Sequence, residues 1–160
     1  MESFVWSDHI GKIISTAFLS MVPAFEGRYA IGVGLAMKMP IIFTYLLAFV
    51  FSTLPMPFVF WFMKPILKWL YSLPIGFVQR FAAWVEKHTA EKSGEVNSKG
   101  LLGLFLFVAI PLPGTGVWTG SAIATMLGMN KRHAMPVIVA GNACACLITT
   151  LISTGVLSIF

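Results

Sequence analysis

Two ionisable residues stand in the middle of an apolar region: Glu26 and Arg28, within MVPAFEGRYAIGVGLAMKMP, residues 21–40. A carboxylate taken out of water is easier to protonate, so at such a place it can exchange a proton with its surroundings. A guanidinium stays charged under burial, so it can hold an anionic group such as a phosphate, or pair with a neighbouring carboxylate. Residues two apart do not share a helix face, and a Glu26 to Arg28 pair therefore needs broken backbone. Pro23 supplies a break by removing a backbone donor, and Gly27, Gly32 and Gly34 let backbone or ligand approach closely. The alternative is a single kinked transmembrane helix over residues 11–37 in which the two charges form a structural pair.

The setting of this pair follows from composition. With 160 residues, 58% of them hydrophobic and 11% charged, and a mean hydropathy of +0.86, the chain reads as one membrane domain, 1–160. The formal net charge is +5, but the basic residues flank apolar segments and form no block that would track phosphates. Membrane lipids, not nucleic acid, are the expected surroundings. The first residues, MESFVWSDHIGK, carry acids before the apolar run and lack a basic leader, which argues against a cleaved signal peptide. Cys144 and Cys146 lie inside an apolar segment with no acid or His beside them, so they read as packing residues. No metal and no cofactor is expected.

Along the chain, residues 10–22 form a first apolar run, and Pro40 to Met63 is long enough to cross, since a helix needs roughly 20 residues to span the hydrocarbon core. Pro55 and Pro57 should kink its end. From Lys64 to Lys92 charges interrupt an aromatic sequence, and Phe77, Phe81, Trp84, Val85 and His88 recur at helical spacing; this predicts amphipathic helices lying in the interface. The polar AEKSGEVNSKG, residues 90–100, divides the chain in two. Leu101 to Ile110 is too short to span. PLPGTGVWTGSAIA follows, whose prolines and glycines cannot occupy the interior of a regular helix. The stretch from His133 to Phe160 is a second crossing, and its Asn142 and hydroxyl residues are expected to hydrogen-bond between helices.

Setting Pro23 on Pro111 aligns VPAFEGRYAIGVGLA with IPLPGTGVWTGSAIA without a gap and brings Gly32 onto Gly120. Each copy sits in the order half-helix, break, half-helix, crossing. The predicted fold is an all-α integral membrane protein: an inverted repeat of two re-entrant helical hairpins, each followed by a transmembrane helix, plus interfacial amphipathic helices. The first repeat covers 8–63, the interfacial region and linker 64–98, and the second repeat 99–160. With re-entrant hairpins, Lys12 and Lys38 share one side and the eight basic residues at 64, 68, 80, 87, 92, 99, 131 and 132 the other; full crossings would divide them three against seven. The positive-inside rule favours the first slightly, with the basic interfacial region cytoplasmic in a multi-pass protein of the bacterial cell membrane. Charge counting alone leaves the two topologies open.

The residues P-x-x-E-x-R followed by a Gly-rich run, and PLPGTG-x-WTG in the second half, resemble the bacterial small multi-drug export family, itself similar to the DedA superfamily of paired re-entrant helices. The resemblance covers nearly the whole chain and implies a small membrane transporter. DedA-like proteins are associated with lipid-carrier recycling and proton-dependent functions, using membrane-embedded acids and arginines; Glu26 and Arg28 would fill those roles. The further acids and arginines of that superfamily have no counterpart here.

The expected function is proton-coupled transport by alternating access. Glu26 exchanges the proton and Arg28 binds an anionic group. The half-helix ends near Gly27 and near Gly114 to Gly116 aim backbone donors at the same anion. Pro23, Pro111 and Pro113 make the breaks, and Thr115, Trp118 and Thr119 line the opposite wall. An anionic lipid headgroup such as polyprenyl phosphate, or a small amphipathic compound, is the expected substrate. A non-transporting membrane scaffold with four spanning helices is the alternative. His9, His88 and His133 lie far apart and no serine or cysteine sits in a nucleophile motif, so an enzyme is not expected. The small residues Gly141, Ala143, Cys144 and Ala145 suit close helix contact in a homodimer.

Overall fold

A computed structural model of the chain describes residues 6–23, 25–71 and 98–157. Among these residues every regular element is helical: α1 Trp6–Met21, α2 Glu26–Ala36, α3 Ile41–Thr53, α4 Met56–Tyr71, α5 Ser98–Ala109, α6 Val117–Met126 and α7 Lys131–Leu157. The interfacial helix around Phe77 to His88 and the linker lie outside the described residues. Two stretches are long and apolar enough to cross a membrane, Ile41–Met63 and Lys131–Gly155, each with hydropathy 1.9. The first contains the α3 to α4 junction, where Leu54 N still donates to Val50 O and Val59 N to Pro55 O, so the prolines bend the helix with little loss of pairing. This apolar stretch ends at Met63, as expected from sequence, while the helix itself continues past Lys64 and Pro65 to Tyr71.

α1 and α2 are not one kinked helix. Such a helix would hold residues 12 and 37 about 37 Å apart at 1.5 Å per residue. Instead Lys12 Nζ donates to Met37 O at 3.1 Å, so the start of α1 lies beside the end of α2 and the chain doubles back between the two helices. Gly34 permits this closeness; a Cβ there would meet Thr44 Cγ2 at 2.6 Å and Thr16 at 3.4 Å. The chain then turns into α3 with Lys38 at φ 60, which costs a non-glycine residue about 1 kcal/mol.

The turn between α6 and α7 repeats this geometry 90 positions later. Met37 N to Val33 O, Lys38 N to Leu35 O and Met39 N to Gly34 O are matched by Leu127 N to Ile123 O, Gly128 N to Thr125 O and Met129 N to Ala124 O. Gly128, at φ 62, stands where Lys38 does. The same spacing relates burial: Gly27, Ala30, Ile31 and Gly34 of α2 are buried, as are Val117, Gly120, Ser121 and Ala124 of α6. In the following helices Thr44, Ala48, Ser52 and Met56 match Ala134, Ile138, Asn142 and Cys146. The leading helices keep the shorter register of the ungapped alignment, with Thr16 and Ser20 matching Leu104 and Val108. The second break is longer, residues 110–116 against 22–25. Gly32 is therefore level with Ala122 and not with Gly120, which corrects the ungapped alignment.

The two stretches of crossing length run antiparallel. Asn142 Nδ2 donates to Ser52 Oγ at 2.8 Å and to Thr53 Oγ1 at 3.0 Å, while Ala48 and Cys146 flank Gly27 together. Further along, Met56 and Phe60 join Ala134 and Ile138 in one apolar cluster with Leu104, Val108, Val117 and Ala124. Asn142 thus bonds between helices as expected, whereas Thr149, Thr150 and Thr154 return their hydroxyls to carbonyls four residues back in their own helix. Two of the small residues of α7 pack within the chain: Ala145 is fully buried, and a Cβ on Gly141 would lie 3.0 Å from Phe105 O of α5, while Ala143 and Cys144 are half-buried.

Candidate functional site

The starts of α2 and α6 meet at the centre of the molecule. Glu26 opens α2 at φ 51 and is 5% exposed. Its carboxylate lies over Gly116, the residue that caps α6, and Oε1 accepts from Trp118 N at 3.3 Å. Any side chain on Gly116 would occupy the place of that carboxylate. α6 has no capping side chain of its own, so an acid from the other half serves its unpaired N–H groups, where the helix dipole favours negative charge.

Arg28 turns away from Glu26 into the second break. Nη2 donates to Val108 O at 2.7 Å and to Thr115 O at 3.0 Å; Nη1 donates to Thr115 Oγ1 at 2.8 Å and to Leu112 O. These carbonyls end α5 or lie in the loop after it, where no helical partner serves them. The guanidinium thus closes the C-terminal end of α5. Arg28 Nε is buried with no partner among the described residues, as is Ser121 Oγ.

Trp118 holds the place of Arg28 in the other half, 90 positions on, and makes the mirrored contact. Its Nε1 donates to Met21 O, the last residue of α1, at 3.0 Å. Each short helix therefore bonds once to the opposite half's leading helix, at Val108 O of α5 in one direction and Met21 O of α1 in the other, and Arg28 adds three bonds to the second break. Ser52 and Asn142 are also counterparts that touch, as are Glu26 and Gly116.

Beside this junction is an apolar cavity of about 480 Å³ lined by Pro23, Phe58, Val59, Phe62, Met63, Trp118, Thr119 and Ala122. It lies between the first break, α4 and α6. Its volume falls in the range of small-molecule sites.

Of the residues singled out from sequence, Glu26, Arg28, Thr115, Gly116 and Trp118 come together at the junction, and Pro23 and Thr119 line the cavity. Gly27 instead packs on α3 and α7; a Cβ there would lie 2.9 Å from Ser52 Oγ and 3.1 Å from Cys146 Sγ. Pro113 and Gly114 are exposed in the second break, with Gly114 at φ 80, and Pro111 is half-buried; they shape the loop whose Leu112 and Thr115 carbonyls take Arg28. Sequence reasoning missed Ser52, Val108 and Met21. The last two act through backbone carbonyls, which every residue type provides.

The comparison with curated proteins gives no match, and neither does that with solved structures. The family model described as "putative small multi-drug export protein" matches residues 26–148, which run from the junction glutamate into the last helix and hold all of α2, α6 and the second break. The chain belongs to the small multi-drug export protein family.

Proposed function

We propose that the protein is a proton-coupled transporter that moves an amphiphile with an anionic headgroup across the membrane by alternating access. The observation that carries this reading is the buried Glu26 carboxylate, seated at the start of α6 beside an apolar cavity. An acid held by backbone donors occupies the place an anion would take; when Glu26 takes up a proton it gives that place up. A phosphate headgroup, as in a polyprenyl phosphate lipid, then offers Arg28 the oxygen acceptors that carbonyls of the second break now supply. The hydrocarbon part fits the cavity, whose walls are apolar apart from the Thr119 hydroxyl.

In this reading the two halves form an inverted repeat of re-entrant hairpins. It is supported by the doubling back of α1 on α2, the antiparallel crossings and the contacts between counterparts. At 1.5 Å per residue α2 is only about 16 Å long, against a hydrocarbon core of about 30 Å, so such a helix reaches the middle and no further. Secondary transporters place substrate sites where broken helices meet in this way.

A second reading, a cationic amphiphile drawn to Glu26, is favoured by the engagement of Arg28 with the second break in this conformation. One experiment separates them. Proteoliposomes are loaded with tail-labelled decyl phosphate or decyltrimethylammonium, and translocation is followed with and without a pH gradient. The expected result is gradient-driven movement of decyl phosphate that Glu26→Gln abolishes while expression and folding persist. Unchanged pH dependence in that variant sinks the role of Glu26, and movement of the ammonium compound alone selects the second reading. If neither compound moves and Glu26→Gln changes no phenotype in cells, the scaffold alternative stands.

A further inference from the structure

The cavity beside Trp118 is a groove open along its outer side: Phe58 and Phe62 help to wall it and remain 55% and 56% exposed. Its α4 residues belong to Ile41–Met63, a stretch apolar enough to cross, so the open side faces hydrocarbon and not water. We propose that this groove is a lateral portal through which the amphiphile loads from one leaflet, the one on the side of Lys64 and Lys131, with its tail inward and its anionic headgroup held by Lys131 and Arg132. The proposal rests on the transport reading and adds the side and the route of entry; the headgroup reaches Arg28 in a later step.

The groove runs from the middle of the molecule to one surface. At its inner end are Pro23, in the first break, and Trp118, whose N–H holds Glu26; at its outer end is Met63. Ser52 lies against Gly27, level with the junction. From Ser52 to Met63 the helix climbs about 16 Å at 1.5 Å per residue. That is close to half of a hydrocarbon core of about 30 Å, the depth a tail occupies in one leaflet. The outer end is basic. Lys64 follows Met63 in the chain, and α7 begins at the same end with exposed Lys131 and Arg132, because α4 and α7 run antiparallel and Phe60 shares one apolar cluster with Ala134. The acids among the described residues are Asp8, at the start of α1, and Glu26, at the centre, so none of them competes for a cation here. An anionic headgroup whose tail fills the groove falls at the level of these cations. The walls are apolar apart from the Thr119 hydroxyl, so a tail leaving the bilayer exchanges one apolar surrounding for another.

The test uses decyl phosphate with a diazirine at the end of its tail, added to right-side-out and to inside-out membrane vesicles and photolysed before it redistributes. A parallel preparation of Lys131→Cys, labelled with an impermeant thiol reagent, tells which vesicles present Lys131 outward. In those vesicles adducts are expected on residues 58–63 and 118–122, several-fold above the other orientation, and excess unlabelled decyl phosphate is expected to remove them while decanol does not. Equal adducts from both sides, or adducts from the opposite side alone, overturn the portal. Adducts that no competitor removes, or that decanol removes equally, mean annular lipid only and overturn it too. Lys131→Gln with Arg132→Gln is expected to raise the decyl phosphate needed for competition at least ~5-fold; an unchanged requirement overturns the seat of the headgroup at this end. Saturable adducts from the Lys131 side in a protein that moves no amphiphile leave the portal standing and fail the transport reading instead.

Discussion

Gly116 is the residue on which the acid's position depends most directly. Its missing side chain is the space Glu26 fills, so Gly116→Ala forces the carboxylate off the end of α6. Overpacking of this kind costs about 1–3 kcal/mol, read as a lower unfolding temperature in detergent. In a Glu26→Ala background the same substitution is expected to cost little, and equal losses in both backgrounds would show that the two residues do not share the space. Arg28 is a harder case for conservative replacement. A lysine keeps the charge but lacks the planar fork that reaches Val108, Leu112 and Thr115 together, so Arg28→Lys leaves carbonyls unserved at the end of α5. A loss of at least ~2 kcal/mol in unfolding free energy is expected. Wild-type stability in that variant would mean that charge alone suffices.

At the scale of elements, the two hairpin turns test whether the halves are interchangeable locally. Lys38 and Gly128 adopt the same left-handed conformation, yet only one is glycine. Lys38→Gly is expected to stabilise by up to ~1 kcal/mol and Gly128→Lys to destabilise by about 1 kcal/mol, both by thermal unfolding; effects of the same sign would separate the turns. The elements themselves were legible from sequence because Pro23, the prolines of 111–113 and the glycines that follow them punctuate runs too short to span. The register of the repeat was not. In apolar sequence with many glycines, a two-residue slip in the second break leaves a gapless alignment almost as good, and only turn geometry and burial expose it. Lys64 and Pro65 mark the end of the apolar stretch, which does stop at Met63, although α4 continues as a helix through both. Arg28 and Glu26 were conspicuous as charges, while their partners were backbone groups with no residue-type signature. Of the small residues expected at a dimer interface, Gly141 and Ala145 are buried within the chain while Ala143 and Cys144 are half-buried; crosslinking in native lipid measures whether two copies associate.

For the whole molecule, the inverted repeat proposed above predicts that the turn at Lys38 and the turn before Lys131 open on opposite sides of the membrane. On a cysteine-free background, Lys38→Cys and Lys131→Cys are expected to label from opposite faces with a membrane-impermeant thiol reagent; labelling from one face would make the short helices full crossings and return the molecule to a four-helix scaffold. The contact of Glu26 with its own counterpart bears also on descent. Two identical copies of the first half, assembled as these halves are, would set two carboxylates face to face in one buried space, and like charges that close cannot both ionise. Joining the halves in one chain lets them diverge, so that one position keeps its acid and the other surrenders its side chain to make room. On the inverted-repeat reading proposed above, the single carboxylate belongs to a fused and asymmetric protein, and a separately expressed first half is expected not to reproduce the centre by pairing with itself.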